Sequence, residues 1–169
     1  MKIAMIGAGN LATNFAKALA CAGHDIVQVY SRTAASARLL ADAVGATATD
    51  SLECVTADAE LYVMAVKDSV LAELIPVVCS RRPDAVFVHT AGSIPMDVFR
   101  GYARRYGVIY PMQTFSKARQ VDFSVIPVFL EAVDNSTMAL LDNVAKSVSG
   151  DVRHLGSEGR RYVHLAAVF

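Results

Sequence analysis

The run Ile6-Gly7-Ala8-Gly9-Asn10-Leu11-Ala12 sets two glycines and a small alanine at a spacing with a definite chemistry. Gly7 allows a sharp strand-to-helix turn, Gly9 lets the backbone come close to a pyrophosphate, and Ala12 allows helix and sheet to pack tightly. Ala8, Asn10 and Leu11 fall where a helix starts, so spare amides and the positive end of its dipole are available to phosphates. G-x-G-x-x-A is a weak motif alone, and its alternative is an ordinary glycine turn. Here an apolar run precedes it, a helical pattern follows, and a second apolar run comes next, which is the context that gives it meaning.

The second apolar run ends Tyr30-Ser31-Arg32-Thr33. A carboxylate at that place would bind the ribose hydroxyls of NAD and repel a 2′-phosphate, whereas Arg32 with the Ser31 and Thr33 hydroxyls would hold one. The residue types therefore favour NADP, against the alternative of a solvated arginine in a turn. Ala65, Val66 and Lys67 end a later strand and should pass close to the cofactor, since ligands of doubly wound sheets lie beyond the carboxyl ends of the strands. Asp68 is expected to N-cap the next helix.

Three side chains are candidate proton donors. His89 closes a strand at the same edge, with a near-neutral pKa suited to acid or donor work; its alternative is a histidine that bonds the loop backbone. Lys117 ends the run Tyr110-Pro111-Met112-Gln113-Thr114-Phe115-Ser116-Lys117, which could frame a substrate pocket or serve as a packed connector. His164 follows Arg161 by three residues and is expected on the same helical face, directed to the cleft or to solvent. None has a triad, a metal spacing or a paired carboxylate beside it.

The elements that must position these groups alternate as strand and helix, the βαβ pattern of an α/β protein with a doubly wound, mostly parallel sheet. Strands are expected at 2–6, 25–30, 46–48, 61–66, 85–89, 108–110, 126–131 and 152–155. Helices are expected at 10–22, 33–44, 69–79 (with Pro76 kinking or shortening it), 136–149 and 158–169. The apolar block Val163, Leu165, Ala166, Ala167, Val168 and Phe169 has no polar cap. Either that helix docks on this domain or on a second subunit, or the chain is a fragment halted in mid-pattern, the reading we favour.

The 169 residues, 54% apolar and 19% charged, suit one folded domain and exclude a disordered chain. Sixteen basic residues balance sixteen acidic ones, so no overall field draws in nucleic acid or an anionic membrane. The N-terminal run lacks signal-peptide features and no apolar run is long enough to span a bilayer, so a cytoplasmic protein is expected. Cys21, Cys54 and Cys79 are read as buried, reduced thiols, and no metal site is expected.

The order G-A-G-N-L-A, Y-S-R-T, A-V-K-D-S-V, V-H-T-A-G-S, Y-P-M-Q-T-F-S-K and R-R-Y-V-H-L-A-A-V-F resembles a family of Rossmann-like NADP oxidoreductases with a C-terminal domain of uncharacterised function. That family is related to deazaflavin-dependent NADP reductases and, more distantly, to pyrroline-5-carboxylate reductase. The resemblance covers essentially the whole chain; the Y-P-M-Q-T-F-S-K and H-L-A-A-V-F runs are its specific parts. It implies an NADP-binding domain over 1–156 and, from 157–169, the start of a helical domain that forms a homodimer and closes the active site. The function expected is hydride transfer between NADPH and a small carbonyl or imine substrate, the cofactor doing the redox chemistry and the protein supplying orientation and a proton. The rival is an NADP(H)-binding sensor without turnover. A flavodoxin-like domain is disfavoured by the glycine spacing.

Overall fold

The computed structural model describes residues 1–168 and is built on one eight-stranded sheet, ordered β3-β2-β1-β4-β5-β6-β7-β8. The strands are β1 (Lys2–Ile6), β2 (Asp25–Tyr30), β3 (Thr47–Thr49), β4 (Leu61–Met64), β5 (Val86–His89), β6 (Arg105–Pro111), β7 (Val128–Ala132) and β8 (Val152–His154). The helices are α1 (Asn10–Cys21), α2 (Ala34–Val44), α3 (Asp68–Cys79), α4 (Asn135–Lys146) and α5 (Ser157–Val168). β1 to β6 pair in parallel, β7 runs antiparallel to β6, and β8 parallel to β7.

The central strands β1, β4, β5 and β6 read as largely apolar runs because both faces of the sheet are covered there. Ile3 and Met5 of β1 belong to one core with Phe15, Leu19, Leu40, Leu141 and Val144, whereas Ala4 and Ile6 belong to a second with Leu71, Ile75, Val78 and Phe99. α1, α2 and α4 therefore lie on one face and α3 on the other. α5 joins the α3 face at its far side, where Val163 packs with Val108, Tyr110 and Phe129. The connections leave the carboxyl ends of β1, β2, β4 and β5 open along one edge, the edge where such sheets take ligands.

Several expectations are corrected. β6 begins at Arg105 rather than 108; Gly107 obscures it in sequence, but that glycine is needed because a Cβ there would meet the Glu131 backbone of β7. α4 stops at Lys146. Pro76 neither ends nor shortens α3, which continues to Cys79. The cap of α3 falls on Lys67, while Asp68 is the first helical residue and accepts a hydrogen bond from Ser93 Oγ at 3.1 Å. Only Cys79 is buried, its thiol pushed up to about 12 by desolvation, while Cys21 and Cys54 are exposed. Among the described residues, no helix is long and apolar enough to cross a membrane. Phe169, part of the apolar C-terminal block, lies outside the described residues.

Candidate functional site

The first turn after β1 is built as its residue types require. Gly7 takes φ +119°, a backbone that other residues rarely adopt, and its amide donates to Tyr30 O at 2.8 Å. A Cβ on Gly7 would run into the Ala65 carbonyl, so the two strand ends approach through the glycine. Gly9 N-caps α1 with extended backbone and no side-chain cap bond, and nothing lies within 4 Å of the place its Cβ would take. The first amide to close the helix is that of Thr13, on Gly9 O. The amides of Asn10, Leu11 and Ala12 point past the end of the helix, with no side-chain acceptor among the described residues. Ala12 is fully buried and Ala8 nearly so. This corner suits a pyrophosphate: open space over Gly9, donors aimed into it, and no carboxylate in the turn.

Ser31, Arg32 and Thr33 follow β2 beside that corner. Ser31 donates its amide to Thr49 O, while Thr33 caps α2 without a side-chain bond. Arg32 is exposed and forms no ion pair among the described residues. Ala65 donates to Ile6 O at 2.8 Å, so 65–67 leave β4 next to the glycine turn, as the cofactor assignment needs.

The three donor candidates go to different places. His89 is fully buried and stacked on Phe99; Ala91 N donates to its Nδ1 at 3.1 Å and its Nε2 faces Pro95 O at 3.3 Å. Both ring nitrogens are thus used by its own loop, the geometry of the backbone-bonding alternative. Burial, and then the charge of Arg160, lower its pKa to about 4. Protonation is harder in the folded chain than in the unfolded one, so this group stabilises the fold fully above its ordinary 6.5, and the contribution is lost as pH falls toward 4. Urea unfolding is expected to show a loss on the order of 3 kcal/mol from this group over that window, reduced in His89→Gln.

Lys117 is carried to the α1 side. Its amide donates to Asn10 Oδ1 at 3.3 Å, and Asn14 Nδ2 donates to Ser116 O at 3.0 Å, so the loop after β6 folds back over the start of α1. Phe115 and Phe123 anchor it against Phe15. Lys117 shares a cleft of about 190 Å³ with Ala8, Thr13, Lys17 and Ser36, on the opposite face of the sheet from His164.

His164 stands at the ligand edge. Its ring lies so close over Gly92, just beyond β5, that a Cβ there would collide with it, and its Nδ1 is 2.9 Å from Tyr110 Oη at the end of β6. Arg161, expected on the same face, is exposed; the inward arginine is Arg160. Arg160 is 1% exposed and donates from Nε to Ala91 O (3.2 Å), from Nη1 to Glu131 Oε2 (2.6 Å) and from Nη2 to Ile94 O (2.5 Å). Ser157 Oγ also donates to Glu131 Oε2, at 2.7 Å. This network ties α5 to the loop after β5, and sequence reasoning missed it. The available signal was the period 157, 160, 164, which sets Ser157, Arg160 and His164 along one helical stripe.

The comparisons agree with this geometry. A family model described as a Rossmann-like domain matches residues 1–112. No curated protein matches the chain. Among solved structures, a Bacteroides fragilis protein provisionally described as an NADP oxidoreductase is 52% identical with a TM-score of 0.97, over 99% of this chain and 65% of that one. A Myxococcus stipitatus imine reductase in complex with NADP+ is 17% identical, TM-score 0.76, over 100% of this chain and 60% of that one. A Coxiella burnetii pyrroline-5-carboxylate reductase is 20% identical, TM-score 0.74, over 97% of this chain and 66% of that one. The chain thus spans less than two thirds of each, and the last two likenesses are of fold. With its glycine turn, its doubly wound sheet and a family match over most of its length, the chain belongs to the Rossmann-like domain family.

Proposed function

We propose that this chain is the cofactor domain of an NADP-dependent oxidoreductase that moves hydride between NADPH and a small carbonyl or imine substrate. The observation that carries the reading is the glycine turn: an uncapped α1 with open space over Gly9, and Arg32 rather than a carboxylate at the end of β2. Gly7 to Ala12 would hold the pyrophosphate, Ser31, Arg32 and Thr33 the 2′-phosphate, and 65–67 the stretch toward the nicotinamide. When bound, the nicotinamide supplies the hydride; the protein orients it, excludes water and handles the proton. The Bacteroides fragilis relative, with its NADP description, supports the same reading. A homodimer formed through α5 and a helical second part belongs to this proposal, and would cover Tyr162, Leu165 and Val168, which are exposed.

Calorimetric titration with NADPH and NADH tests the cofactor, and NADPH oxidation by the whole protein over aldehydes, 2-keto acids and cyclic imines tests the reaction. Absence of binding would defeat the proposal, and binding without turnover would turn it toward the sensor reading. Arg32→Glu places a negative charge where the 2′-phosphate would sit. It is expected to weaken NADPH relative to NADH by about 10- to 100-fold, which is roughly 1.4–2.8 kcal/mol. An unchanged ratio of the two dissociation constants would show that Arg32 does not read the phosphate.

A further inference from the structure

Tyr110 and His164 come from elements more than fifty residues apart, yet their side chains meet at 2.9 Å, with rings edge to face, at the edge of the sheet that takes the ligand. The contact is held from three sides. Gly92 gives the imidazole room that no other residue would leave it. Phe129 stacks on the Tyr110 ring. Arg160, four residues before His164 on α5, bonds the backbone on both sides of Gly92, at Ala91 and Ile94. So much buried structure around one partly buried imidazole is more than a surface histidine needs.

The partners of the two ring nitrogens differ. Nδ1 has the phenol, whereas Nε2 forms no hydrogen bond among the described residues. The charge that acts on Tyr110 is that of Arg160 of α5, which in turn bonds Glu131 of β7 and acts on His89 of β5. Glu131 is occupied by Arg160 and Ser157, and His89 by its own loop, so neither competes for the imidazole.

Resting on the hydride-transfer reading above, we propose that His164 is the proton donor of that reaction through Nε2, and that Tyr110 is the positioning residue that keeps the other proton on Nδ1. In the reductive direction the nicotinamide, when bound, would supply the hydride to the carbon of a C=O or C=N group, whose π electrons would pass to the oxygen or nitrogen. The oxygen or nitrogen takes the Nε2 proton of the His164 imidazolium. The ring left behind is neutral, with Nδ1–H donating to the phenol oxygen and an Nε2 lone pair that regains a proton from water. Binding the protons in that order requires the phenol oxygen to act as acceptor, and a protonated phenol retains the lone pairs to do so. Burial pushes the Tyr110 phenol pKa up, which keeps it protonated at neutral pH. The arrangement follows the general rule that the hydrogen bond at one imidazole nitrogen decides what the other can do.

The experiment has two readouts. Nitrogen-15 NMR of the 169-residue chain, with the His164 signals assigned by their loss in His164→Gln, is expected to show the neutral ring as the Nδ1–H tautomer. In Tyr110→Phe, which removes one oxygen and keeps the ring, that preference is expected to disappear. In the whole protein, with NADPH and a cyclic imine or aldehyde as probe, His164→Gln is expected to lower kcat by about 10²–10⁴-fold, as for loss of a general acid. NADPH affinity is expected to stay within about twofold of wild type in both variants, because neither residue belongs to the phosphate site. An Nε2–H tautomer in the wild-type chain, or a His164→Gln enzyme with undiminished kcat, would overturn the dyad. Failure of the chain to bind NADPH would instead overturn the cofactor reading, and the ring tautomer would then decide the dyad alone.

Discussion

Gly9→Val is expected to abolish NADPH binding while leaving the fold intact. Its φ of −78° and ψ of −165° lie in the extended region open to valine, and nothing stands within 4 Å of the new Cβ position. The new Cβ therefore has open space about it, and the side chain it carries would occupy the place of the pyrophosphate that the open α1 amides would bind. Displacing the diphosphate from those donors removes several charge-assisted hydrogen bonds at once. A loss of about 100-fold or more in affinity, ~2.8 kcal/mol, is the expected scale. The measurement is calorimetric titration with NADPH beside thermal unfolding of the same variant. Undiminished affinity would remove the pyrophosphate from this corner, and with it the cofactor assignment. The neighbouring Gly7 is unsuited to such a test: its φ of +119° and the Ala65 carbonyl against it would make any side chain damage the fold before it touched a ligand.

That contrast marks what was legible in the sequence. Turn chemistry is local, so the G-x-G-x-x-A run, the start of α1 and the arginine after β2 could all be read from spacing. Unbroken apolar strands and amphipathic helices likewise announced a sheet covered on both faces. Side-chain meetings between distant elements were not legible. In sequence His89 is a histidine at a strand end and His164 one on the face of the last helix, and each has a structural or solvent-facing alternative. Only the fold shows that one spends both nitrogens on its own loop while the other keeps Nε2 open. The run ending at Lys117 is open in sequence to two readings, a frame for the substrate or a packed connector. Its loop reverses over α1 through Asn10, Asn14 and three stacked phenylalanines, contacts across about a hundred residues that no periodicity encodes. Arg160 and Arg161 are adjacent and chemically identical, and a one-residue step along the helix separates a solvated cation from a buried one. The exposed cysteines follow similarly, since Cys21 lies on the last turn of α1 and Cys54 on a short 3-10 turn at the surface.

Arg160→Leu is expected to give the largest loss of stability of any single change near the site. The guanidinium is 1% exposed and distributes its donors over Ala91 O, Ile94 O and Glu131 Oε2, so its removal takes this donor from two carbonyls and leaves the partly buried carboxylate with Ser157 Oγ but no countercharge. Removing one member of a buried ion pair costs about 3–5 kcal/mol, chiefly because the remaining charge is left without compensation. For a chain of this size each kcal/mol moves the thermal midpoint by roughly 2–4 °C, so a fall of about 6 °C or more is expected. Arg160→Lys should recover little, because a compact ammonium cannot span both backbone carbonyls and the carboxylate as the planar fork does. The Arg160→Leu/Glu131→Leu pair separates the contributions. If the cost lies mainly in the stranded carboxylate, the double variant should be more stable than Arg160→Leu alone; if it lies in the 91–94 loop, the second change will recover nothing. The loop outcome would also loosen Gly92, and with it the seat of the His164 ring. The His164 nitrogen shifts should then lose their tautomer preference in Arg160→Leu even though Tyr110 is intact. A midpoint within about 2 °C of wild type would show that the network is dispensable and that α5 is held to the sheet by its apolar contacts alone.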